Sequence, residues 1–98
     1  MKNRYLVIDG ELNGTGIRDY YGGSYLLLED LDLTSELKNK IVNWVTRYAE
    51  MYYDGFSNNS MIEFLDDEGK EIARFVKNQI PQAKILYFSA AKMTKEII

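Results

Sequence analysis

The sequence predicts an α+β fold, a two-layer sandwich in which a small three- to four-stranded sheet packs against two amphipathic helices. Three observations predict it. Runs of β-forming residues lie near both ends of the chain, and two long stretches between them repeat apolar residues every three or four positions. The length of 98 residues suits a single domain over residues 1–98. The apolar residues of each helix form a stripe that must be buried against another apolar surface, and the sheet provides that surface.

The first third of the chain predicts strands separated by glycine turns. Residues 4–12 begin with a Tyr-Leu-Val-Ile run, which is typical of a buried strand. Residues 13–16 (Asn-Gly-Thr-Gly) follow as a turn, because asparagine and glycine tolerate positive φ. Residues 17–21 are either a short strand or an ordered loop. Residues 24–28 are a second strand candidate, which would pair with the first as a hairpin.

The first helix is predicted over residues 34–53. Thr34 is the expected N-cap, and Gly55 suits the left-handed position that ends a helix. The apolar residues fall on one stripe, at Leu37, Ile41, Trp44, Val45, Tyr48, Met51 and Tyr52. We expect the three aromatic residues at helical spacing, Trp44, Tyr48 and Tyr52, to lie in the core.

The second helix is predicted over residues 60–79. Ser60 and Glu63 match the capping box that starts a helix, and Pro81 marks its end. A strand at residues 61–65 followed by a shorter helix capped by Asp66 is the alternative. Gly69 lies on the apolar stripe and costs about 1 kcal/mol relative to alanine. Residues 83–88 predict a strand, and residues 89–98 a short tail or helical turn.

Composition excludes several kinds of chemistry. The chain has no cysteine and no histidine, which removes disulfides, thiolate catalysis and the commonest general base near neutral pH. We therefore predict a protein that is not an enzyme, with no catalytic residue, cofactor or metal site. The Gly14-Thr15-Gly16 sequence fails the dinucleotide fingerprint, because Asp19 stands where the third glycine belongs. No apolar run is long enough to span a bilayer and no secretory signal is evident, which predicts a cytoplasmic protein without membrane contact.

Charge narrows the class of partner. Twelve Lys and Arg against fifteen Asp and Glu give a net charge of −3, which argues against direct nucleic-acid binding. Tyr87 and Phe88 beside Lys84 and Lys92 could resemble a base-stacking platform, but one aromatic pair is thin support. The acids of residues 66–68 (Asp-Asp-Glu) are interpreted as a solvated helix face or a patch for a basic partner. Neighbours on a helix point about 100° apart, so these three cannot converge on one ion.

Residues 13–32 are the predicted contact surface for a protein partner. Glycines at positions 14, 16, 22 and 23 frame Arg and Tyr residues, which contribute strongly at interface centres. Arg18, Tyr20 and Tyr21 are the expected anchors and Tyr25 belongs to the same surface. The expected charge partners for a basic protein are Asp19, Glu29, Asp30 and Asp32.

The chain as a whole resembles the small acidic immunity proteins of bacterial contact-dependent growth inhibition and related toxin systems. The resemblance is carried by residues 14–19 (Gly-Thr-Gly-Ile-Arg-Asp), the glycines at 22 and 23, the Trp44–Tyr48 helix, residues 67–69 with Ile72 and Ala73, and residues 84–89 (Lys-Ile-Leu-Tyr-Phe-Ser). It implies a cytoplasmic, non-catalytic protein that binds one cognate toxin domain, often a nuclease, and blocks it. It carries over no binding residue, because contact surfaces differ between subfamilies.

Two hypotheses of function follow. In the first, the chain is an immunity protein that neutralises a cognate toxin domain by occlusion, and is a monomer or weak dimer when free. In the second, it is a small homo-oligomeric regulatory or adaptor domain that makes self-contacts.

Overall fold

A computed structural model describes residues 4–98 and confirms the α+β two-layer sandwich. Two long helices stand between the second and third strands of a four-stranded sheet. The elements in chain order are β1 (Tyr5–Asp9), β2 (Ile17–Asp19), α1 (Ser35–Tyr53), α2 (Asn59–Gln79), β3 (Lys84–Ser89) and β4 (Thr94–Ile97), with a 3₁₀ turn at Leu28–Asp30. Over residues 4–98, neither helix has an apolar stretch that could cross a membrane.

The strand order in the sheet is β2-β1-β3-β4. The central strands β1 and β3 run parallel, and the edge strands β2 and β4 are antiparallel to their neighbours. Parallel neighbours need a long crossover connection, because the chain must return to the same end of the sheet. Helices α1 and α2 form that crossover. In the resulting register Val7 lies opposite Arg18 on one side and Leu86 on the other.

The two faces of the sheet have different surroundings, because side chains alternate along each strand. The inner face packs against both helices, through Leu6, Ile8, Ile85 and Tyr87. The opposite face, which we call the outer face, consists of the intervening residues Tyr5, Val7, Asp9, Arg18, Leu86 and Phe88. Val7 is 0% exposed and Leu86 is 6% exposed. Long side chains from neighbouring strands therefore shield the centre of the outer face.

Helix α1 begins and ends as predicted. The Thr34 side chain accepts a hydrogen bond from the Leu37 N–H at 3.3 Å, which caps the first turn. Gly55 has a φ of 69°, and the Phe56 N–H donates to the Met51 carbonyl in a Schellman ending. The prediction for Tyr52 is wrong, since its side chain is 50% exposed. Steps of four residues drift by about 40° each, so Tyr52 has rotated off the stripe.

Helix α2 is one continuous element, so the alternative of a strand at residues 61–65 is wrong. The predicted cap is also wrong. Asn58 caps the helix, and its side chain accepts a hydrogen bond from the Met61 N–H at 3.0 Å. Ser60 lies within the first turn, and the Glu63 side chain pairs with Lys92 instead of reaching back. Asparagine offers the same acceptor as serine, so two candidate caps two residues apart compete in the sequence.

The hairpin predicted between residues 5–8 and 24–28 is wrong. Strand β2 pairs with β1 instead, and residues 24–28 contribute only an isolated bridge from Tyr25 to Arg18. The chain then leaves the sheet through the 3₁₀ turn, and Leu31 and Leu33 are buried in the core. Leu26 and Leu28, which are typical of a strand, are instead partly buried against the core outside any strand, and Leu27 is 55% exposed.

The C-terminal prediction of a tail or helical turn is also wrong, because residues 94–97 form β4. Met93 has a φ of 57°, and its N–H donates to the Ser89 carbonyl at 2.8 Å, which closes the turn between β3 and β4. All four residues of β4 are exposed. A strand without a buried side has no apolar alternation, so the sequence carries little signal for it.

Candidate interaction surface

The eight residues predicted to contact a partner lie along the segment from β2 to the start of α1, but they divide into two groups. Tyr20, Tyr21, Glu29, Asp30 and Asp32 are exposed. Arg18, Asp19 and Tyr25 are partly buried, and each holds the surface in shape through bonds inside the chain. Of the eight predicted contact residues, five are therefore open to a partner and three support the surface.

Asp19 shapes the turn that presents the two tyrosines. Its side-chain Oδ2 accepts a hydrogen bond from the Gly22 N–H at 2.8 Å, and its carbonyl accepts one from the Gly23 N–H at 2.8 Å. Gly23 has a φ of 75°, in the left-handed region that favours glycine. The carboxylate of Asp19 thus serves the turn. It is a positioning residue and not a free charge.

Tyr5, Tyr20 and Tyr21 form an aromatic group that we call the tyrosine cluster. The rings of Tyr5 and Tyr20 stack with centroids 4.2 Å apart, and Tyr21 meets both rings edge-on. The Tyr20 N–H donates to the Tyr5 carbonyl at 2.9 Å, which continues the β1–β2 pairing by one residue. Tyr20 remains 44% exposed and Tyr21 73% exposed. The cluster is therefore an ordered aromatic surface, held by the sheet and open to solvent.

Arg18 and Tyr25 converge on the buried carboxylate of Asp9. Asp9 is 0% exposed, forms an ion pair with the Arg18 guanidinium, and accepts a hydrogen bond from the Tyr25 hydroxyl at 2.5 Å. The guanidinium also lies 5.6 Å from the centre of the Phe88 ring. Burial raises the pKa of Tyr25, and the hydrogen bond to Asp9 raises it further. These contacts join residues 18–25 to β1 and β3, so the surface above them is rigid.

Glu29, Asp30 and Asp32 form an acidic segment beside the 3₁₀ turn. All three are exposed, whereas the intervening Leu31 and the following Leu33 are buried. The leucines fix the segment to the core and turn the carboxylates outward. Within residues 4–98 the three carboxylates form no ion pair. Their charge is thus available to an approaching cation.

The other aromatic pair considered from the sequence does not form one surface. Tyr87 is 1% exposed on the inner face, whereas Phe88 points to the outer face under Arg18. Neighbours on a strand point to opposite faces, so they cannot stack bases side by side. Tyr87 and Phe88 therefore do not form a base-stacking platform, in agreement with the weak support for one in the sequence.

The sequence reasoning missed Asp66, whose interpretation as part of a solvated face is wrong. Asp66 is 3% exposed. Its Oδ1 accepts hydrogen bonds from the hydroxyls of Tyr48 at 2.9 Å and Tyr87 at 2.6 Å, and its Oδ2 accepts one from Ser89 at 2.8 Å. We call these four residues the Asp66 cluster. A signal was present, since Asp66 lies four residues after Ile62 and therefore on the apolar stripe.

The Asp66 cluster positions the turn between β3 and β4. The Ala91 N–H donates to the Tyr48 hydroxyl and the Lys92 N–H donates to Ser89 Oγ, both at 3.1 Å. A cavity of about 210 Å³ lies beside the cluster, with Lys70, Lys92 and Lys95 in its wall. Both oxygens of Asp66 are already hydrogen-bonded within the chain. The cluster therefore joins α1, α2 and β3 as a structural unit.

Alkaline pH is expected to destabilise the fold through this cluster. Burial raises the pKa of Tyr48 to about 12, and burial together with the bond to Asp66 raises the pKa of Tyr87. In the unfolded chain a tyrosine titrates near pH 10. Above that pH the unfolded state releases protons that the folded state retains, so the free energy of unfolding falls as pH rises.

Urea denaturation from pH 8 to pH 12 measures this effect. We expect a flat profile up to about pH 10 and a steady decline through pH 12. Tyr87→Phe removes one buried phenol and should make the decline shallower, whereas Tyr53→Phe, at an exposed position, should keep the slope of the parent chain. A profile that stays flat to pH 12 would contradict the assignment.

No protein family, curated protein or solved structure matches this chain. Over residues 4–98, the structure contains no group of three or more Asp, Glu, His or Cys residues that could hold a metal ion.

Proposed function

We propose that this chain is an immunity protein that binds a cognate bacterial toxin domain in the cytoplasm and neutralises it by non-catalytic occlusion. The observation that carries the proposal is the tyrosine cluster. Tyr20 and Tyr21 are exposed, yet they are held by the Asp19 turn and stacked on Tyr5. Rigid, partly exposed tyrosines lose little conformational entropy on binding and are frequent anchors at protein interfaces.

The acidic segment supports a basic partner. Glu29, Asp30 and Asp32 present three carboxylates on the same stretch of chain as the tyrosines. A nuclease toxin has a basic surface for phosphates, and a carboxylate-rich inhibitor is attracted to it. Opposite charges mainly increase the association rate, whereas the aromatic anchors set the lifetime of the complex.

The two buried carboxylates have a structural role. Asp9 and Asp66 are the two carboxylates with the lowest exposure, and the hydrogen bonds that they accept come from groups of the same chain. Both hold elements together, Asp9 across the outer face and Asp66 between the helices and β3. Asp9 and Asp66 thus hold together the elements beneath the surface that we assign to the partner.

Tyr21→Ala is expected to weaken toxin binding about tenfold, because it removes an exposed aromatic anchor. Tyr53→Ala is the matched control, since Tyr53 is 78% exposed on α1 and Tyr21 is 73% exposed. The partner for the titration is the toxin domain encoded by the gene immediately upstream, purified in an inactive form. Equal losses for both variants would remove the tyrosine cluster from consideration.

Asp30→Ala with Asp32→Ala is expected to lower the association rate about tenfold at low salt, with a smaller effect at high salt. Glu50→Ala with Glu63→Ala removes the same charge from exposed helical positions and serves as the control. In cells, co-expression of the parent chain should restore growth against the toxin. If the parent chain neither binds the toxin nor protects the cell, the proposed function is wrong.

Strand β4 favours the second candidate, a homo-oligomeric adaptor domain. It is an edge strand whose four residues are all exposed, and Ile97 is 78% exposed. An unpaired edge can add a strand from a second copy. Sedimentation of the pure chain separates the two: a stable symmetric dimer without any toxin would favour the adaptor, and a monomer would favour the immunity protein.

A further inference from the structure

The helical layer leaves two phenylalanines open to solvent. Phe64 is 60% exposed and Phe75 is 40% exposed, both on α2. They are eleven residues apart, which is slightly more than three complete helical turns and about 16 Å along the axis. Both rings therefore lie on one face of the helix. A pair of large apolar side chains on one solvent-facing stripe is typical of a contact surface.

A groove runs between α1 and α2 along this stripe. A shallow cavity of about 460 Å³ lies beside Phe64, and another of about 340 Å³ lies beside Phe75. Lys40 of α1 lines both cavities, which places them on the same side of the helix pair. We call the whole depression the phenylalanine groove, defined by Lys40, Phe64, Asp67, Glu68, Glu71 and Phe75.

The floor between the two phenylalanines is acidic and only partly neutralised. Glu68 forms a two-pronged ion pair with Arg47, with one contact of 2.8 Å. Asp67 is exposed and forms no ion pair within residues 4–98. Glu71 is 3.9 Å from the Lys40 ammonium, at the limit of a salt bridge, and both side chains are well exposed. Such a contact contributes little, so an outside cation could replace Lys40.

We propose that the phenylalanine groove is a docking site for a cationic amphipathic helix of a partner protein. Helix-in-groove recognition uses apolar anchors at helical spacing, and two anchors eleven residues apart would meet Phe64 and Phe75. Lysines or arginines between the anchors would face Asp67 and Glu71. A second copy of this chain is a poorer occupant, because a symmetric contact would place the same carboxylates face to face. This site is separate from the tyrosine cluster and does not depend on the proposed function.

The test uses the full chain and a synthetic helix. The probe is an acetylated, amidated peptide of alanine, leucine and lysine, about 18 residues long, with leucines eleven positions apart and lysines between them on the same face. Its scrambled sequence is the control peptide, each peptide carries a fluorescein on a C-terminal lysine, and fluorescence anisotropy gives Kd. We expect Phe64→Ala and Phe75→Ala each to weaken binding about tenfold. We expect Lys40→Ala to tighten it about threefold, since the competing internal cation is gone.

Lys84→Ala controls for net charge. Lys84 is exposed on β3, so its removal changes the charge of the chain as Lys40→Ala does, but in the other layer. Only the Lys40 variant should bind the peptide more tightly. Equal tightening by both variants, equal binding of the scrambled peptide, or no binding of the designed peptide would each overturn the proposal. Because all four substituted side chains are surface residues, circular dichroism should show an unchanged fold in every variant.

Discussion

Asp66→Ala is expected to lower the free energy of unfolding by about 3–5 kcal/mol, a large part of the stability of a domain this size. The carboxylate accepts hydrogen bonds from Tyr48, Tyr87 and Ser89. Alanine leaves these buried hydroxyls without their acceptor, and an unsatisfied buried donor costs about 1–3 kcal/mol. It also loosens the turn after β3, which depends on the same hydroxyls. Urea denaturation at pH 7 measures the loss.

Asp67→Ala is the matched control for this prediction. Asp67 is the next residue on α2 and carries the same functional group, but its side chain is exposed. Its replacement should change the free energy of unfolding by less than about 0.5 kcal/mol. Asp66→Asn should fall between the two, because the amide retains one of the two acceptor oxygens. Similar losses for the two alanine variants would show that the Asp66 cluster does not stabilise the fold.

Gly69→Ala is expected to destabilise the chain by about 2 kcal/mol, although helix propensity alone would favour alanine by about 1 kcal/mol. A Cβ at position 69 would lie 2.6 Å from Trp44 Cζ2 and 2.8 Å from Tyr87 Cζ. Both rings are fully buried, with exposures of 0% and 1%, so neither can move without disturbing the core. The overpacking cost therefore exceeds the propensity gain.

The decisive measurement is whether Gly69→Ala lowers or raises the free energy of unfolding. Asn78→Ala, at an exposed position in the last turn of α2, reports the effect of helix propensity alone and should be neutral or slightly stabilising. If Gly69→Ala also stabilises the chain, the close contact of α2 with Trp44 and Tyr87 is wrong. Urea denaturation of the two variants in parallel is sufficient.

The sequence predicted those elements whose signals are local. The Thr34 cap, the Gly55 ending and the apolar stripe of α1 all act within a few residues, and each was confirmed. The parallel position of β3 beside β1 also fits a crossover of two helices. Two of the predictions that failed depended on distant partners. Strand β4 forms because β3 offers its edge, and residues 24–28 pair with β2 only at the bridge between Tyr25 and Arg18. The N-cap of α2 failed for a local reason, because Asn58 and Ser60 are competing caps two residues apart.

For the candidate interaction surface, too, the sequence predicted local features better than contacts with distant residues. Composition predicted a contact segment, but it could not separate exposed side chains from those that support the segment. Arg18 and Tyr25 are committed to Asp9, a residue nine or more positions away in sequence. Asp66 was assigned to solvent because its neighbours Asp67 and Glu68 are acidic, whereas its helical phase had already placed it on the buried stripe. When the two conflict, the position of a residue around the helix axis predicts its burial better than the charge of its sequence neighbours does.

The central pairing of β1 with β3 has a consequence for biosynthesis. It aligns Tyr5 with Lys84, so the middle of the sheet cannot close until residues 84–89 have left the ribosome. The antiparallel helix pair has much shorter loops to close and should condense first. Until then the Leu-Val-Ile run of β1 lacks its parallel partner β3, which makes the nascent chain vulnerable to aggregation and proteolysis until β3 has emerged.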